Sequence, residues 1–165
     1  MRIFTDPSST FAAQRKAGIT EEGNLFLIVA FAFGNFLAQL PAQYRVFSAG
    51  PQTALDADGN TVAIDFAQFA GWQAVFAIFG VALVMYALSA IAHLIAKKFG
   101  GKASWKEARR AMFLAALLSL PMVVVTSLAT WAGIPNLALI LSFGTLIYFL
   151  WYWGKGLNLL EYSDV

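Results

Sequence analysis

The chain has 165 residues, of which 59% are hydrophobic and only 12% charged, with a formal net charge of +2 and a mean hydropathy of +0.67. Soluble domains carry about 25% charged residues, and a chain this short has no core large enough to hide so many apolar side chains from water. A water-soluble globular domain is therefore excluded, and lipid is the remaining solvent.

The first 22 residues are not a span. "MRIFTDPSSTFAAQRKAG" lacks the apolar core and the cleavage site of a signal peptide, so the first span is expected to act as its own insertion signal. From Asp6 to Ala17 the pattern predicts a short interfacial helix. Ser8 or Ser9 can cap it, and Asp6 suits its positive end. Phe4, Phe11 and several alanines give an apolar side; Gln14, Arg15 and Lys16 give a polar one. Such a helix lies flat at the headgroups; the other reading is a solvated tail. Gly18 ends it.

A bilayer crossing needs roughly 20 mainly apolar residues. The first such window is 23–40, "GNLFLIVAFAFGNFLAQL". Its polar groups, Asn35 and Gln39, need partners, expected on a neighbouring helix. Ala30 and Gly34 form a small-residue face for close helix approach. Residues 41–70 form the one sizeable extramembrane loop. Within it, "TALDADGNTVAIDF" reads as two short strands around the turn Asp58-Gly59-Asn60. The acidic spacing resembles the start of a calcium loop, but Gly59 falls at the fourth position instead of the sixth and no Glu closes it.

The second window, 71–96, is longer than the hydrocarbon is thick and must tilt or project. Gly80 and Ala87 are its small-residue pair. His93, near its end, is the sole candidate for an intramembrane ionisable group. It sits about one turn from Lys97, near the headgroups, with no carboxylate in the lipid to pair with. A structural hydrogen bond is the expected role, and a proton or ligand role is the alternative.

Between windows two and three stand six of the eleven Lys and Arg residues: Lys97, Lys98, Lys102, Lys106, Arg109 and Arg110. Arg2, Arg15 and Lys16 precede the first window, Lys155 stands at the very end of the fourth, and only Arg45 lies between the first two. Lys and Arg collect on the cytoplasmic side. With both termini inside, ten cations are inside and one outside. The basic loop is thus a topology anchor. Together with Trp105, Arg15 and Lys16, its cations are also candidate contacts for anionic lipid or a partner.

The third window, 111–134, contains Pro121, which removes a backbone hydrogen bond and kinks a helix. Ser119, Thr126, Ser127 and Thr130 are placed to satisfy freed carbonyls. The kink is read as a packing shape, with a gate as the alternative. The turn "GIPN", 133–136, is short, so spans three and four should be antiparallel neighbours. The fourth span, 137–156, ends in an aromatic belt of Tyr148, Trp151, Tyr152 and Trp153, where Lys155 can snorkel. Residues 161–165 are assigned to a cytoplasmic tail.

Chemistry is hard to find. There is no HExxH, GxSxG or phosphate loop, and no carboxylate pair within the lipid; Asp65 and Glu107 only flank it. Cysteine is absent, which excludes disulfides and thiolate chemistry. The expectation is a non-enzyme without cofactor or metal.

"HLIAKKFGGKASWKEARRAMFLAALLSLP" followed by "GIPNLALILSFGTLIYFLWYWGKGL" resembles the Yip-domain family of small integral membrane proteins, of bacterial type. A span ends in a His-containing stretch, a Gly-Gly-Lys loop continues into a basic amphipathic segment, and a proline-bearing span and a short Pro turn lead to a last span with a Gly-rich exit. "FTDPSSTF" looks like the family's lead-in to an interfacial segment. His93, Gly100, Gly101, Lys102 and Trp105 carry most of the match. The chain departs from the family in showing four spans instead of five and in lacking a DLYGP-type motif. The resemblance implies a helical bundle without enzymatic activity. Eukaryotic relatives are linked to Rab-type GTPases and vesicle traffic, a role not carried over here.

The expectation is therefore an all-α membrane protein: a four-span transmembrane helical bundle with an N-terminal interfacial helix and a small extramembrane hairpin loop. It sits in a bacterial inner membrane with cytoplasmic termini. It acts as a scaffold or accessory subunit through lateral helix contacts and the basic loop. A small transporter or channel, in homo-oligomeric form, is the runner-up. Expected partners are anionic membrane lipids and another membrane protein or complex, and nothing points to nucleic acid.

Overall fold

The computed structural model describes residues 4–50 and 53–162; Arg2 and the tail residues 163–165 lie outside the described residues. Four helices are long and apolar enough to cross a membrane, and a shorter one precedes them. The protein is an all-α integral membrane bundle, as expected.

The short helix α1 (Pro7–Ala17) is capped by Asp6, whose carboxylate accepts the Ser9 N–H at 3.3 Å. The cap is therefore Asp6, not Ser8 or Ser9, because Pro7 occupies the first helical position and needs no hydrogen-bond acceptor. Phe11 is fully buried.

Helix α2 (Glu21–Ser48) starts at Thr20, whose hydroxyl accepts the Gly23 N–H at 3.1 Å, with Glu21 and Glu22 at its positive end. It does not stop at residue 40. Pro41 forfeits one backbone hydrogen bond, yet the helix continues for two turns and is pinned at its far end, where Arg45 donates to the Trp131 carbonyl. The loop expected over 41–70 shrinks accordingly. Strands β1 (Thr53–Leu55) and β2 (Thr61–Ala63) pair antiparallel, with Ala54 opposite Val62, as the turn signal predicted. Asp56 organises the turn by accepting the N–H groups of Asp58 and Asn60 at 3.0 and 2.8 Å. Its carboxylate is thus taken up by the turn. The Asn60 N–H above all holds it below the ordinary aspartate value.

The second crossing is one rod of 33 residues, Phe66–Lys98. It begins with α3 (Phe66–Val75), set by a reciprocal cap in which Asp65 accepts the Gln68 N–H at 2.7 Å and Gln68 accepts the Asp65 N–H at 3.2 Å. A π-helical stretch, Phe76–Val81, leads into α4 (Ala82–Lys98). The Phe76 ring of the same rod lies over Gly80, so an added Cβ would come within 2.8 Å of that ring, and Ala87 is exposed.

Helix α5 (Trp105–Trp131) is capped by Ser104 and Glu107 in the same reciprocal way. It is the central helix. Half of its most apolar 18-residue window is buried, against 17% in α2, 17% in the Phe66–Lys98 rod and 11% in α6 (Pro135–Tyr162). Helices α2 and α6 pack on either side of it. α2 and α5 approach closely at Gly34, where a Cβ would come within 2.8 Å of Leu120. A helix of 27 or 28 residues spans about 40 Å, longer than the roughly 30 Å of hydrocarbon. These helices therefore carry polar turns beyond the apolar windows visible in the sequence.

The chain ends of α1, α2 and α6 and the α4–α5 loop gather at one end of the bundle, termed the terminal end; the strands lie at the hairpin end. The tight core of Phe11, Ile28, Met112, Phe113, Tyr152 and Leu160 sits at the terminal end.

Candidate functional site

The terminal end is held by one buried carboxylate. α4 ends at Lys98, and the chain turns through Gly100 at φ +87°. The Gly101 N–H returns to the Ala96 carbonyl at 2.9 Å and the Gly100 N–H to that of Lys97 at 3.1 Å. Gly101 is obligatory for a second reason. A Cβ there would stand 2.5 Å from Glu161 Oε2 and 3.0 Å from the Ala96 carbonyl oxygen.

Glu161 projects from the last turn of α6 into this loop. Its Oε1 meets His93 Nδ1 at 2.7 Å, and its Oε2 accepts the Ala103 N–H at 3.0 Å. The Glu161 backbone carbonyl accepts the Lys102 N–H at 2.8 Å, and the next residue, Tyr162, donates its hydroxyl to the Ala96 carbonyl at 3.2 Å. Trp105 covers the histidine with ring centroids 4.4 Å apart. His93 is 0% exposed and Glu161 1%. One side chain thus joins α4, the Gly-Gly loop and α6.

This corrects the sequence reading of His93 as lacking a carboxylate partner. The partner is Glu161, which had been assigned to the tail. A buried pair of this kind is costly to break, because either group left alone is an uncompensated polar atom in a poor solvent. Nε2 of His93 is also buried and without a partner among the described residues. The pair acts as a clamp between α4, the loop and α6.

The nine cationic or aromatic candidates divide into two sets. The arginines turn inward. Arg15 Nε pairs with Glu107 Oε1 at 3.1 Å. Arg109 pairs with Glu21 and lies 5.1 Å over the Tyr86 ring. Arg110 is only 8% exposed and donates to Gln14 Oε1 at 3.1 Å. The lysines turn outward: Lys97, Lys98, Lys102, Lys106 and Lys16 are exposed, with Trp105 beside them. The arginines therefore brace α1, α2 and α5 together, and the basic surface is made by lysines. Asn24, unremarked in the sequence, adds a further tie by donating to the Lys106 carbonyl at 2.9 Å.

The intramembrane candidates lie elsewhere. Gln39 donates to Asn35 at 3.0 Å within α2, so these two satisfy each other in part instead of reaching a neighbouring helix as expected. Pro121 lies inside α5 on an exposed face. The hydroxyls of Ser119, Thr126 and Thr130 bond back to carbonyls four residues earlier, at Ala115, Met122 and Thr126.

A model of the Yip1 domain matches residues 1–160. No curated protein and no solved structure matches the chain.

Proposed function

The chain belongs to the Yip1 domain family, and from that premise we propose that it is a non-enzymatic membrane scaffold or accessory subunit. It holds a lysine face against anionic headgroups at the terminal end and offers its lateral helix surfaces to another membrane protein. What supports this reading most is the division of cations. The arginines are spent on internal bracing, while Lys97, Lys98, Lys102 and Lys106 stand outward on a loop fixed by Glu161. A cation held near an anionic surface gains about 1 kcal/mol, and a fixed loop loses little entropy on binding. The same lysines favour a cytoplasmic terminal end, with both termini inside. A bacterial inner membrane is the setting this reading assumes.

The experiment is purification from native membranes in mild detergent, followed by mass spectrometry of retained lipids and proteins. The wild-type chain should retain anionic lipid and a partner. A variant with Lys97, Lys98, Lys102 and Lys106 all changed to Gln should lose both while keeping its thermal unfolding midpoint. A wild-type chain that migrates alone with no enriched anionic lipid would contradict the proposal.

A further inference from the structure

The half of the bundle nearer the hairpin end holds an open cleft of about 510 Å³ between α2, α5 and α6. That is within the roughly 300–1,000 Å³ typical of ligand sites. Its lining is unusual for an apolar bundle. On α2, Asn35, Gln39 and Gln43 recur every four residues and so share one face. Thr126, Ser127 and Thr130 face them from α5, and Ser142 and Thr145 from α6. Among the described residues, no Asp, Glu, Lys, Arg or His lines it.

On α2 the carboxamides of Asn35, Gln39 and Gln43 both donate and accept, whereas the hydroxyls of α5 and α6 have a definite hydrogen-bond polarity. Thr126, Thr130, Ser142 and Thr145 each donate their hydroxyl proton to a carbonyl of their own helix, at 2.9, 3.1, 2.8 and 2.8 Å. Their oxygens keep only acceptor capacity. Gln43 Oε1 and Ser127 Oγ are buried with no partner among the described residues, and Ser127 is only 4% exposed. An unsatisfied polar atom in such a place is destabilising. Gln43 Oε1 therefore asks for a donor, and the Ser127 hydroxyl can accept from the same group.

Charge narrows the class. An adjoining hollow lined by Arg45 shares Val46 and Thr130 with the cleft, so a permanent positive charge stands at its edge. That disfavours a cation, and an anion would find no Lys or Arg in the lining itself and four hydroxyl oxygens that can only accept. Ala42, Val46, Phe69 and Val123 complete the lining with apolar surface suited to acyl chains. We propose that this cleft binds an uncharged lipid whose head carries hydroxyl donors, of the acylglycerol class, with its hydroxyl on Gln43 and Ser127. This site is separate from the lysine face, which contacts charged headgroups at the other end.

The test is labelling of the full chain in nanodiscs with a photoreactive diacylglycerol. Three comparisons accompany it: the same molecule with its hydroxyl O-methylated, the corresponding phosphatidic acid, and the exposed-surface variant Leu139→Ala. Diacylglycerol should label the cleft. The O-methyl analogue should label about five- to tenfold less, the effect of one lost hydrogen bond, and phosphatidic acid should also label less. Ser127→Ala and Gln43→Leu should lower diacylglycerol labelling by a similar factor, and Leu139→Ala should not. Because Ser127→Ala deletes an unsatisfied hydroxyl, its thermal midpoint should hold or rise, so loss of labelling is not loss of fold. Equal labelling by the O-methyl analogue or by phosphatidic acid, indifference to both cleft substitutions, or a protein cross-linked at Gln43 in place of lipid would each overturn the proposal.

Discussion

His93 and Glu161 lie 68 residues apart in the chain and meet at 2.7 Å with neither side chain open to solvent. The contact closes the terminal end of the bundle. Beside it, the Ala103 N–H to Glu161 Oε2 and the Lys102 N–H to the Glu161 carbonyl tie the α4–α5 loop to α6, and the Tyr162 hydroxyl ties α6 to the Ala96 carbonyl of α4.

Glu161→Ala strips His93 Nδ1 and the Ala103 N–H of their acceptor together. It should destabilise the protein by about 3 kcal/mol or more, the usual size for a broken buried pair. His93→Ala should do similar damage, and the double variant should be less destabilised than the sum by at least about 1 kcal/mol. Thermal unfolding of the four proteins in one detergent checks this. Additive effects would mean that the two groups do not interact.

Gly101→Ala places a methyl against the Glu161 carboxylate and the Ala96 carbonyl. It should lower stability by about 1–3 kcal/mol, as overpacking does. Gly100→Ala should also be unfavourable, but because of its positive φ and not a clash, since nothing lies within 4 Å of a Cβ there. The discriminating measurement is the Glu161→Ala background, which should relieve part of the Gly101→Ala effect and none of the Gly100→Ala effect.

Phe11→Ala should release α1 from α6. The Phe11 ring packs 5.7 Å from Tyr152 and fills the space beside Gly156. The loss should be about 3 kcal/mol locally. Amide exchange should rise sharply over 7–17 and little in α5. Uniform exchange across the molecule would contradict a docked, separable α1.

The hairpin carries the pH dependence that can be read directly. The Asp56 carboxyl lies below its ordinary value, chiefly because of the Asn60 N–H. A depressed carboxylate adds order that is complete above its free-chain value and lost as pH falls through its folded value. The Asn60 amide resonance should therefore hold from neutral pH down to about 4, the ordinary aspartate range, and shift only on further acidification. Asp56→Ala should remove the titration. A midpoint at or above that range would contradict the turn.

The sequence reveals some of this and hides the rest for physical reasons. Lipid demands long apolar runs, so the four crossings are legible, and Asp58-Gly59-Asn60 makes the hairpin legible. Helix ends are not, because hydropathy registers only the part inside the hydrocarbon. α5 begins at Trp105, ahead of the apolar window, and its signal was present in the Ser104-to-Glu107 capping pattern; the Asp65-to-Gln68 pattern marks α3 in the same way. Glu161 was hidden by Gly154 and Gly156, which read as a helix exit. Yet Tyr152, Gly156 and Leu160 recur every four residues on a buried face, and that stripe continues the helix to its acid. The pairing of Arg110 with Gln14, across 96 residues, has no local signal at all.

The most direct test of the whole account is sidedness. The chain has no cysteine, so Lys102→Cys and Asp58→Cys each introduce one thiol, and a membrane-impermeant maleimide reports where it lies. With a single crossing between them, Lys102→Cys should label only from the cytoplasmic face and Asp58→Cys only from the opposite one. Labelling of both from the same face would contradict the four-crossing bundle and the lysine face built on it.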